Sequence, residues 1–150
     1  MRHFLDSTAV AEVKARVQHL RADSVPQWGT MNAAQAVAHL AGGLELALGD
    51  RRPPRVLIGR LLGWAIKPLA LGNDAPMRHN TPTVPELKVA DARDLAVERA
   101  RLLALIDRAA AGGSGGWTTH PHSFFGRLTS DEWGVLMYKH LDHHLRQFGV

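Results

Sequence analysis

Thr129-Ser-Asp-Glu-Trp-Gly-Val-Leu-Met-Tyr-Lys-His-Leu-Asp-His-His-Leu-Arg-Gln-Phe148 reads as one helix from end to end. Thr129 and Glu132 make a capping box, each side chain serving a backbone N–H that the first turn leaves free. Leu128 before the cap and Trp133 inside the helix form a hydrophobic staple. At about 100° per residue, Trp133, Met137, His140, Leu141, His144 and Phe148 share one stripe, with Leu136 and Gln147 at its edge. Glu132, Lys139, Asp142 and Arg146 fall elsewhere, and His143 lies to one side. Two histidines therefore stand one turn apart inside an apolar stripe. That spacing aims two imidazoles the same way and suits a shared metal ion. Ordinary core histidines bonded to carbonyls or water are the other reading, and a third ligand elsewhere in the chain would decide between them.

The remaining sequence frames that helix with others. Val10, Val13, Val17 and Leu20 recur at helical spacing and predict a helix over about residues 7–22, capped by Asp6 or Ser7. A second helix is expected from about Met31 to Leu48, capped by Thr30 and stopped at Gly49-Asp50. One face of it carries Asn32, Gln35, Ala36, His39, Gly42, Gly43 and Leu46. Two glycines inside a helix cost roughly 2 kcal/mol relative to alanine, so something compensates. Close helix packing is one compensation, and space cleared beside His39 for a metal and its substrate is another.

The basic turn Arg51-Arg-Pro-Pro-Arg55 leads into a short accessory helix over about Arg55 to Leu69. Apolar residues on several of its sides, Trp64 included, predict that it is buried against the bundle or a second subunit. A membrane-surface helix is the sharper reading, given the nearby arginines. From about 70 to 90, Pro76, Pro82 and Pro85 forbid long regular structure, and Met77-Arg-His-Asn80 either lines a site or straps the surface. Asp91 caps a third bundle helix running from about Ala92 to Ala111, with Leu95, Leu102, Leu103, Ile106 and Ala110 inward and Arg93, Asp94, Glu98 and Arg99 outward. The glycine-rich stretch Ala111–Gly116 ends it and is expected to be flexible.

Long amphipathic helices without strand runs predict an all-α fold, a four-helix bundle with an additional short helix and a long loop between bundle helices 2 and 3. With 150 residues the chain fits one domain, residues 1–150, with a sizeable core. It has no cysteine, which excludes disulfides, thiolate ligands and a Cys nucleophile. Eighteen basic residues against fourteen acidic ones leave a net charge of +4, an ordinary solvated surface rather than a nucleic-acid footprint. The most apolar window, Val56–Gly72, is broken by Arg60, Lys67 and Pro68 and is too short to span a bilayer. A soluble cytoplasmic protein is expected, with neither nucleic-acid binding nor stable membrane association.

His39 is the candidate third ligand, at mid-helix like His140 and His144, because facing bundle helices focus such side chains on one point. Three neutral imidazoles suit zinc, nickel, copper or iron(II), and a site with three protein ligands keeps a position open.

The chain resembles the DinB/YfiT-like superfamily, in particular a bacterial branch of uncharacterised function. The residues that carry the resemblance are Trp28-Gly-Thr-Met31, Ala38-His39-Leu40 and Pro76-Met-Arg-His-Asn-Thr-Pro-Thr-Val-Pro85. Phe124-Phe-Gly-Arg-Leu-Thr-Ser-Asp-Glu-Trp-Gly134 and Tyr138-Lys-His-Leu-Asp-His-His-Leu-Arg-Gln-Phe148 complete it. The resemblance implies a DinB-like four-helix bundle, often dimeric, with a divalent metal, zinc or nickel first, held by His39, His140 and His144. It also implies a metal-dependent transferase of the thiol S-transferase kind, or a hydrolase, acting on a small molecule. Without cysteine, a sulfur nucleophile arrives as an external low-molecular-weight thiol. No catalytic base is identified. His143, His79, Asn80, His120 and His122 are candidates for substrate contact or for supporting the ligands. The alternatives are a metal-binding stress-response protein without turnover and a basic membrane- or nucleic-acid-binding module.

Overall fold

A computed structural model describes residues 1–150 and contains five α-helices and no strands. They are α1 (Ser7–His19), α2 (Ala33–Leu48), α3 (Leu57–Leu71), α4 (Leu95–Gly112) and α5 (Ser130–Gln147). Two 3₁₀ turns, Pro85–Leu87 and Gly113–Gly116, and an isolated bridge between His122 and Gly126 complete the regular structure. No helix is long and apolar enough to cross a membrane.

The last helix starts as its sequence dictates, with the Thr129 side chain on the Glu132 N–H and the Glu132 carboxylate on the Thr129 N–H. Asp6 stands at the N-cap of α1 as expected, whereas the caps of α2 and α4 lie two or three residues beyond the expected ones. α2 is capped by Asn32, not Thr30, because Asn32 and Gln35 build a second reciprocal box. α4 is capped by Asp94 rather than Asp91, its side chain accepting from the Val97 N–H. α1 ends at His19, and the glycine-rich stretch after α4 winds into a 3₁₀ turn.

Helices α1, α2, α4 and α5 share one core containing Val13, Val17, Val37, Leu40, Leu44, Leu102, Ile106, Trp133, Leu141 and Leu145. α2 runs along α4 and also touches α5, while α1 packs on both α4 and α5. The inward face of α4 is rotated from the expected one: Glu98, Leu102, Leu105, Ile106 and Ala109 are buried. Glu98, expected outside, is 5% exposed. Arg93 and Arg101 each bond its carboxylate at 2.9 Å, and Arg101 also reaches Glu45 on α2 at 2.9 Å. The ion-pair network supplies the partners that a buried carboxylate requires.

The segment expected to be buried around Trp64 is helical, but it is not buried within the chain. Leu57, Trp64 and Leu69 are 73%, 74% and 73% exposed. The buried residues of α3 are Gly59, Gly63 and Leu71: the two glycines make its contact with the Phe124 segment, and Leu71 at its end joins the core. A Cβ at Gly59 would stand 2.6 Å from Cα and O of Phe124, and one at Gly63 would overlap the same carbonyl oxygen. Such close backbone approach is open only to glycine. It turns the leucines and the tryptophan outward.

Candidate metal centre

Three histidines from α2 and α5 meet, one of them buried and two half-buried. His39 projects from α2, and His140 and His144 from successive turns of α5. One nitrogen from each ring lies within 4.8 Å of the other two. The ring centroids are 4.8 Å apart for His39 and His140, 4.7 Å for His39 and His144, and 5.0 Å for His140 and His144.

The far nitrogens of two rings are tied down, and this fixes which nitrogens face inward. His39 Nδ1 lies 2.8 Å from the Leu87 carbonyl oxygen. A carbonyl only accepts, so Nδ1 carries the proton and Nε2 keeps its lone pair. A relay of two hydrogen bonds fixes His144. Gln147 Nε2 donates to the Trp28 carbonyl at 2.6 Å, which orients the amide. Its Oε1 then faces His144 Nδ1 at 2.8 Å and accepts the Nδ1 proton. His144 Nε2 is thereby left with a free lone pair.

His140 completes the set, its Nε2 lying 2.8 Å from that of His39. Without an ion this is a hydrogen bond, with the proton on His140 because His39 Nε2 is bare. Two nitrogens on tetrahedral zinc, each at about 2.0–2.1 Å, stand about 3.3 Å apart, so a shared ion requires that pair to open by about half an ångström. His140 would then carry its proton on Nδ1.

Burial favours the neutral rings that metal binding needs. Desolvation lowers the pKa of His39, partly offset by its bond to Leu87. Desolvation, followed by repulsion from His39 and His144, holds His140 well below the ordinary range. His144 is pushed down to about 3, mostly by burial and next by His39, against the opposing bond from Gln147.

The other candidates divide into two groups. His143 and His79 are brought close to the centre. His143 lies 4.9 Å from the His144 ring, 5.4 Å from Trp28 and 5.9 Å from His79, centroid to centroid. His79 stacks flat on Trp28 at 3.7 Å. Asn80 follows in a left-handed conformation with φ of 54° and is exposed beside Gly29. His120 and His122 serve the scaffold instead. His120 Nε2 sits 3.1 Å from the Pro53 carbonyl. His122 Nδ1 accepts from the Phe124 and Phe125 N–H groups, both at 3.1 Å, and its ring packs on Phe125 and Trp133. Burial, followed by the charge of Arg55, lowers its pKa to about 4.

Gly43 approaches His140: a Cβ there would lie 2.9 Å from both Cε1 and Nδ1 of that ring. Gly42 instead faces Leu87 and Arg51, so the glycine pair serves two contacts. Gln147 and the Leu87 carbonyl carry roles that residue type alone does not announce. The position of Gln147 at the edge of the histidine stripe was the one available signal. A cavity of about 290 Å³, lined by Arg2, Asp74, Tyr138 and Lys139 among others, lies apart from these histidines and includes none of them.

The family described as Protein of unknown function (DUF1569) matches residues 1–149, and the chain belongs to it. No curated protein and no solved structure matches the chain.

Proposed function

We propose that this DUF1569 protein holds one divalent metal ion, zinc or nickel, on His39, His140 and His144, and uses it in group transfer or hydrolysis on a small molecule. The same reading treats α1, α2, α4 and α5 as a DinB-like four-helix bundle with α3 as its accessory helix. The observation that supports it most directly is the convergence of the three histidines. Two of them have Nδ1 engaged outward on Leu87 and Gln147, leaving Nε2 unprotonated. Core histidines serving only as packing have no need of a common focus.

A bound ion in such a site supplies Lewis acidity and lowers the pKa of a coordinated water or thiol. The remaining chemistry is the chain's own. The Leu87 carbonyl and Gln147 orient two rings and fix their tautomers, as outer partners do in metal sites generally. His143, His79 and Trp28 form an aromatic and imidazole group beside His144, suited to contacting a small planar or polar substrate. Any thiol in the reaction is external, since the chain has no cysteine.

The test begins with protein purified without a histidine tag. Elemental analysis is expected to find one zinc or nickel ion per chain, or the stripped protein to take up one with a rise in its thermal midpoint. Absence of both overturns the metal reading. With metal established, loss of a small thiol in the presence of an electrophilic acceptor, abolished by His39→Ala, separates a transferase from a protein that only binds the ion.

A further inference from the structure

The outward face of α3 is unlike the rest of the surface. Leu57, Ile58, Leu61, Leu62, Trp64 and Leu69 are all exposed. At about 100° per residue they occupy one continuous arc, opposite the Gly59–Gly63 edge that grips Phe124. Arg60 and Lys67 border that arc on one side. The helix is thus amphipathic with its apolar face turned to solvent. A contiguous apolar patch rimmed by polar groups marks an interaction site.

The charge around the patch selects the partner. From Arg51 to Asn73 the chain carries Arg51, Arg52, Arg55, Arg60 and Lys67 and no carboxylate. Arg51 is paired with Glu45 and Lys67 with Glu132, whereas Arg60 and the neighbouring Arg127 are exposed. A two-fold contact between copies of α3 would bring this patch onto itself, and the segment offers no anion to meet its cations. A surface that is apolar at depth and anionic at its rim fits both features. The helix is too short to cross a bilayer and suited to lie in its interface, with Trp64 at headgroup level.

We propose that α3 docks this protein onto anionic phospholipid membranes, its Leu57–Leu69 arc entering the acyl boundary and Arg60 with Arg127 facing lipid phosphates. From sequence this segment was expected to be buried against the bundle or a second subunit, with a membrane-surface helix as the other reading and no stable membrane association expected. The proposal is independent of the metal centre.

The test uses the full chain and vesicles of phosphatidylglycerol with phosphatidylcholine, against phosphatidylcholine alone. Flotation is expected to recover the protein with the anionic vesicles, less as salt rises. Tryptophan emission is expected to shift to shorter wavelength on binding, and Trp64→Phe to lose that shift. Leu61→Asp combined with Leu69→Asp is expected to weaken partitioning by roughly tenfold or more, and Arg60→Gln by roughly fivefold. Both variants alter exposed positions and are expected to keep the wild-type thermal midpoint and metal response. No binding to anionic vesicles at low salt overturns the proposal. So does a dimer in buffer, with Trp64 already shielded, that Leu61→Asp with Leu69→Asp converts to monomer, because the occupant is then a second copy.

Discussion

Gly43→Ala is the smallest change that tests the arrangement of the metal centre. The added methyl would stand 2.9 Å from Cε1 and Nδ1 of His140, where unstrained contacts are about 3.5–4.0 Å. The ring must therefore retreat by roughly 0.6–1 Å. Metal–ligand distances hold to about 0.2 Å, and the methyl prevents the ring from settling to that accuracy. Metal affinity is expected to fall about 10–100-fold, as it does when an outer partner of a ligand is lost. Stability without metal behaves differently. Alanine in a helix interior gains about 0.5–1 kcal/mol over glycine, while overpacking costs about 1–3 kcal/mol, leaving a net loss of order 1 kcal/mol. In a His140→Ala background the obstructing ring is gone, and the same substitution is expected to stabilise the apo protein by about 0.5–1 kcal/mol. Chemical denaturation of the four proteins of this cycle with chelator present, and zinc titration of the two that keep His140, measure both quantities. Wild-type metal affinity in Gly43→Ala, or the same stability change in both backgrounds, would refute the placement of His140 against Gly43.

Changing His39, His140 or His144 to Ala is expected to abolish stoichiometric metal and the metal-dependent thermal shift, whereas His143→Ala keeps both; elemental analysis of the four variants decides it. Gln147→Leu removes the acceptor on His144 Nδ1 and is expected to lower zinc affinity about 10–100-fold with a smaller effect on folding, read by zinc titration alongside denaturation. His122 contributes a pH dependence whose sign follows from its lowered pKa. Its folded value of about 4 lies below the ordinary 6.5, so between these the unfolded chain binds more protons. The associated stability is fully present above pH 6.5 and is lost as pH falls toward 4, about 3 kcal/mol in total at about 1.4 kcal/mol per unit. His122→Asn keeps an acceptor for the Phe124 and Phe125 N–H groups without titrating, and is expected to flatten the acid limb of denaturation measured with chelator; an unchanged slope would show that His122 is not the group responsible.

The helices were legible where their signals are local. The Thr129–Glu132 box named the start of α5 because both halves of a capping box lie within one turn. For α2, Thr30 and Asn32 are both good caps, and the choice falls to Asn32 because Gln35 lies three residues on and can close the box. The inward face of α4 was read correctly at Leu102 and Ile106 but not at Glu98, for another reason. Periodicity assigns a glutamate to solvent, yet Glu98 is held inside by Arg93 and Arg101, and Arg101 is itself fixed by Glu45 on α2. The carboxylate on α2 that fixes Arg101 over Glu98 cannot be seen in the spacing of α4 alone. The case of α3 is similar: apolar sides imply burial only when something is there to cover them. The contact that fixes α3 runs through two glycines and the backbone of Phe124, which carries no hydrophobic signal at all.

At the candidate centre the three histidines that meet were readable from sequence and the groups that orient them were not. Histidines one turn apart inside an apolar stripe are improbable as packing, because each imidazole in a core requires polar partners. That makes residue type and spacing informative for His140 and His144, and a mid-helix histidine flanked by small residues informative for His39. The groups that orient them leave no such trace. Leu87 acts through its carbonyl, which every residue has, from a loop whose path no periodicity records. Gln147 acts because Trp28, far away in sequence, presents a backbone oxygen to its amide and so decides which way it points. The histidine cluster is therefore a property of side chains, while the choice of which ring nitrogen faces inward is a property of the backbone path around them. A chain that kept all three histidines but moved the Trp28 or Leu87 loops would retain the sequence signature and lose the aligned lone pairs.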